Sequence, residues 1–118
     1  MKNELDNLKF PIGKYKAILD FNFSRTVEDI KTLESFSVDL RDCVKGLDKT
    51  DFKKSYRDGG MNIAQIIHHF CDTHTYAFLR TKHTLLEENP SVKMYEVAEF
   101  LTTPDSNVLD VKDSLNVI

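Results

Sequence analysis

Between residues 63 and 85 the apolar side chains recur at the spacing of one helix face. Ile63, Ile66, Ile67, Phe70, His74, Ala77, Phe78, Thr81 and Leu85 fall on one stripe at about 100° per residue. Asn62 stands where the helix must be capped, and Gln65, three residues on, completes a capping box. Pro90 in "ENP" cannot continue the backbone ladder, so the spacing predicts a helix from about Ile63 to Glu87.

A shorter stripe precedes it. Val27, Ile30, Leu33, Phe36, Leu40 and Val44 predict a helix over Val27 to Val44, with Thr26 as its cap. Glu28 and Asp29 sit in its first turn, where the helix dipole favours carboxylates, and Gly46 suits a left-handed stop. A polar connection follows, with a turn of helix expected near Asp48 to Phe52, and "RDGG" turns tightly into the second helix.

The flanks are weaker. Residues 1–23 lack a helical period, and Pro11 and Gly13 in "LKFPIGKY" predict an extended arm anchored by Leu8, Phe10, Ile12 and Tyr15. Residues 91–107 are mixed, with "TTPDSN" as a loop. Asp110 then caps a third helix whose stripe (Val111, Leu115, Ile118) has only begun where the sequence stops. Two amphipathic helices and the start of a third make a poor core, since stripes bury against one another in threes and fours. The expectation is that a second copy covers the open faces, in a homodimer, or that this is the front part of a longer bundle.

A length of 118 residues fits one domain over residues 1–118, and a hydrophobic share of 41% beside a charged share of 30% fits a soluble one. The net charge of -3 is spread among interspersed acids and bases, which argues against nucleic acid. The mixed-charge run "DKTDFKKSYR" reads as a solvated loop. No apolar run approaches the roughly 18 residues of a membrane span, and "MKNELDNLKF" has no apolar signal core. Cys43 and Cys71 have no CxxC spacing, so they predict reduced thiols and, with the missing signal, a cytoplasmic protein. "DGG" lacks the strand and the lysine of a phosphate loop.

The histidines are the chemically distinctive residues. On the wheel His74 lies mid-stripe, His69 on the flank near Thr73 and Tyr76, and His68 and His83 on the polar side. Neighbours such as His68 and His69 diverge by about 100° and cannot share an ion, while five residues separate His69 from His74, unlike the four of a chelating pair. A histidine on an apolar face serves more often as a hydrogen-bonded core residue than as a ligand. A zinc-type site needs about four ligands, and this helix supplies one or two. Cys71 and Cys43 read as small packing residues, and Asp72 as a solvated carboxylate or one that orients a histidine.

The ordered segments "LKFPIGKY", "YRDGG", "QIIHHFCDTH", "FLRTKHTLLEENPSVKMYE" and "PDS" resemble the DinB-like metal-dependent hydrolases. The nearest likeness is to the YfiT group, which includes bacillithiol S-transferases. The resemblance covers almost all of the chain. It implies an all-α four-helix bundle, of which these residues carry the N-terminal arm, the first two long helices and the start of the third. It implies a divalent metal, nickel or zinc, held by three histidines. One is the second of the paired histidines, His69 here. The other two come from a late HxxxH motif that these residues do not contain. Met61 stands where the group usually has tryptophan. The implied chemistry is hydrolysis, or transfer of a low-molecular-weight thiol such as bacillithiol to an electrophile. A non-catalytic helical module that self-associates is the competing expectation.

Overall fold

In the computed structural model, which describes residues 2–19 and 21–118, Asn62 accepts a hydrogen bond from the Gln65 backbone N–H while the Gln65 side chain accepts one from that of Asn62. The capping box thus forms. It opens the longest of six α-helices among the described residues: α1 (Lys2–Lys9), α2 (Phe23–Val44), α3 (Ile63–Leu86), α4 (Val97–Phe100), α5 (Asp105–Val108) and α6 (Val111–Val117). A 3₁₀ turn, Asp51–Lys53, lies between α2 and α3. The Asp48 carboxylate organises that turn by accepting from the Thr50 and Asp51 backbones. At the far end Asp110 caps α6 by accepting from Lys112.

Three expectations need correction. The arm is not extended throughout, since residues 2–9 form α1. Eight residues are too few to display a period, and Glu4 near its start and Lys9 at its end suit the dipole. Met1 and Asp20, part of the same expected arm, lie outside the described residues. Nor does the arm anchor: Leu8, Phe10, Ile12 and Tyr15 are all exposed. The second correction concerns the start of α2, which begins at Phe23 and is capped by Asn22 through the Arg25 N–H. Thr26 instead donates back to the Asn22 carbonyl. The third is at "TTPDSN", where Pro104 leads into the single-turn α5. Gly46 takes the expected positive φ, +85°, just past the end of α2.

The long helices run antiparallel. Phe36 of α2 meets Phe70 and His74 of α3 at centroid distances of 5.0 and 4.9 Å, while Val44 and Ala64 line one groove. The tightest packing lies elsewhere, where α5, α6 and the 3₁₀ turn gather around the first half of α3. Ile67 and Leu115, 1% and 7% exposed, are the buried apolar residues there. Arg41 of α2 donates to the Leu115 carbonyl, tying α2 to α6. The radius of gyration is 16.4 Å, against about 13.5 Å for a compact domain of this length, so the arrangement is open.

Candidate functional site

His69 lies in the second turn of α3, half-buried, facing the segment that leads into α4. Its Nδ1 is 3.3 Å from the Tyr95 hydroxyl, which is 2.8 Å from Thr73 Oγ1. Thr73 donates to the His69 carbonyl at 2.8 Å. Rings hold Tyr95 in place: Tyr76 and Phe100 lie at 4.6 and 4.8 Å, and Tyr76 meets Phe100 at 5.8 Å. The ring of His69 is therefore braced on its Nδ1 side.

His68 overturns the wheel. Expected on the polar side, it is 3% exposed, with Nδ1 2.7 Å from Ser114 Oγ. The stripe identified only the face toward α2. A bundle helix has more than one neighbour, and α6 covers the face that carries His68. His68 and His69 do diverge, and only His69 touches Tyr95 among the described contacts.

His74 is the core residue its place in the stripe predicts. It stacks on Phe36 at an interplanar angle of 21°, and its Nδ1 donates to the Phe70 carbonyl at 2.8 Å. His83 pairs with Glu87 on the surface at 2.5 Å. Burial pushes the Asp72 carboxyl above its ordinary range, and the charge of Asp105 adds to this, while His69 and His68 oppose it. Asp72 makes no hydrogen bond to either ring among the described contacts. Cys43 and Cys71 are free thiols.

Among the described residues no three His, Cys, Asp or Glu side chains converge as a metal group would require. His69 fits one coordination position, since Nδ1 is engaged and the other ring nitrogen has no protein partner in the described contacts. A groove of about 930 Å³ is lined by His68, Asn62, Asp110 and Leu115 among others, and His69 is not part of its wall. Sequence reasoning missed Tyr95 and Ser114. Thr73 was legible as the residue one turn beyond His69, but nothing in a single sequence pairs position 69 with 95 or 68 with 114.

No family model matches the chain. It is 35% identical over 114 residues to the "Putative metal-dependent hydrolase" of Geobacillus thermodenitrificans, covering 97% of this chain and 64% of the relative. It is 30% identical over 112 residues to YfiT of Bacillus subtilis, covering 95% and 63%. The solved structure of Bacillus subtilis YfiT, described as a probable metal-dependent hydrolase with an unusual four-helix bundle topology, superposes with a TM-score of 0.87 at 31% identity. That match covers 94% of this chain and 63% of YfiT. The chain thus spans less than two thirds of the length of these relatives. No described helix is long and apolar enough to cross a membrane. In sequence and in all-α fold, this chain matches the YfiT/DinB-like metal-dependent hydrolase family along nearly its whole length.

Proposed function

We propose that these residues are the front part of a metal-dependent hydrolase or thiol S-transferase and that His69 is their one metal ligand. The observation that carries this reading is the match over 94–97% of the chain to relatives described as metal-dependent hydrolases. The half-buried, braced ring of His69 supports it. The finer partition also belongs to this reading: an arm, two long bundle helices (α2 and α3) and, in α6, the start of the third. Two further imidazoles, from an HxxxH segment outside these 118 residues, complete the ligand set. The metal is nickel or zinc, and when bound it lowers the pKa of a water or thiol ligand. The co-substrate is a low-molecular-weight thiol such as bacillithiol, or water.

Alone, this chain binds metal weakly and turns over little, because one imidazole cannot replace three converging ones. A second reading is a non-catalytic module that pairs with its own copy. Exposed Ile30, Leu33, Phe78 and Leu85 favour it, since a second copy is the commonest cover for such faces.

Elemental analysis after desalting separates the readings. A form extended by an HxxxH-bearing segment should retain stoichiometric nickel or zinc, lose it on His69→Ala and keep it on His83→Ala. Metal kept after His69→Ala would reject His69 as a ligand. Stoichiometric metal on the 118-residue chain itself would show that its ligands are elsewhere.

A further inference from the structure

The His69 carbonyl can only accept a hydrogen bond. Thr73 Oγ1 is 2.8 Å from it, so the one hydroxyl proton of Thr73 points there. Toward Tyr95, also at 2.8 Å, Thr73 Oγ1 must therefore accept, and the phenolic proton of Tyr95 is committed to it. That leaves the Tyr95 oxygen as an acceptor facing His69 Nδ1 at 3.3 Å. The reverse sense would leave the threonine oxygen and the carbonyl as two acceptors in contact without a proton between them.

We propose that Thr73 and Tyr95 form a one-way hydrogen-bond relay that holds His69 as its Nδ1–H tautomer, so that the lone pair stays on Nε2. That Nε2 then faces a metal rests on the reading of His69 as a ligand; the tautomer does not. Tyr95 is thus a positioning residue. Free neutral imidazole in a histidine favours the proton on Nε2, so the relay reverses the intrinsic preference. The relay can do this because its last acceptor is fixed: Tyr95 is wedged between Tyr76 and Phe100, and Thr73 is one helical turn from His69. A ligating histidine commonly donates its other ring N–H to such a partner, and loss of the partner typically costs about 10–100-fold in metal affinity.

The test is nitrogen-15 NMR of the histidine rings in the full chain at about pH 9, far above the imidazole range. Protonated and unprotonated ring nitrogens resonate far apart, so the tautomer is read directly. The wild type and Thr73→Ser should show His69 with Nδ1 protonated. Tyr95→Phe and Thr73→Val should shift it toward Nε2–H, with helical circular dichroism retained. A wild type with Nε2 protonated, or a Tyr95→Phe chain that keeps the Nδ1–H form, overturns the relay. Nickel(II) is then titrated and the broadening of the His69 ring signals followed. Tyr95→Phe should need about tenfold more nickel or beyond. Equal broadening in both chains overturns the link from relay to metal. No selective broadening at His69, with the Nδ1–H form present, overturns the ligand reading and leaves the relay standing.

Discussion

The two halves of α3 carry one stripe and meet opposite fates. From Ile63 to His74 the helix is packed by α5, α6 and the 3₁₀ turn and touched by Phe36 of α2, and Ile67 and His68 are buried. From Thr75 onward most residues are exposed, and Phe78 and Leu85 are 59% and 79% exposed although they lie on the same stripe as Ile67. A stripe states which face wants cover and is silent on what covers it. The candidate ligand His69 sits near the boundary, with a fully covered neighbour on one side and an open helix face beyond.

Substitutions along the helix test this contrast. Ile67→Ala should destabilise by about 2–4 kcal/mol, the range for truncating a buried aliphatic residue. Phe78→Ala, which removes a larger side chain, should cost under about 0.5 kcal/mol in the monomer. Urea denaturation of both variants decides. Equal losses would mean that the far half of α3 is covered in solution, and light scattering with Leu33→Glu plus Phe78→Glu would then show whether a second copy is the cover. A dimer that survives both charges would place the interface elsewhere.

Next in size is Ser114→Ala. It leaves the His68 Nδ1 buried beside a methyl group and should cost about 1–3 kcal/mol. A matching loss on His68→Ala, with little further loss in the double variant, would show that the two act as a pair. Asn62→Ala breaks the capping box at the covered end and should cost about 1 kcal/mol.

The smallest expected effect is at Asp72. Its carboxyl is raised by burial, then by Asp105, so between its unfolded and folded pKa the native state binds more protons than the unfolded chain. Stability therefore falls as pH rises through that window, by linkage. Asp72→Asn should thus stabilise slightly at neutral pH, by less than about 1 kcal/mol given its partial exposure, with the gain absent below the ordinary carboxylate range. A destabilised Asp72→Asn at neutral pH would mean that the charge is used, for instance to orient His68 or His69.

The sequence made the long helices legible because period and stops agree, and at α3 the cap agrees too; at α2 the cap did not, since Asn22 and not Thr26 fills it. Asn62, Gln65, Gly46 and Asp110 act locally, and each does what its type predicts. α1 was hidden because eight residues hold too little pattern, and α5 because one turn after a proline looks the same as a loop. At the site, the divergence of His68 and His69 was legible from helix geometry. The burial of His68 was not, because it depends on α6, more than forty residues away. Tyr95 was illegible for the same reason, and the wheel alone could not prefer His69 to His74.

The bond from Arg41 to the Leu115 carbonyl has a consequence in time rather than in energy. It closes a loop of 74 residues, while the packing around α3 closes shorter ones. Long loops are slow to close because more chain entropy is lost first. The Arg41 contact should therefore form after the barrier to folding and act as a latch on the way out. Arg41→Ala should leave the refolding rate nearly unchanged and speed unfolding severalfold, so that α2 is the first element to leave and α3 with α6 the last to part.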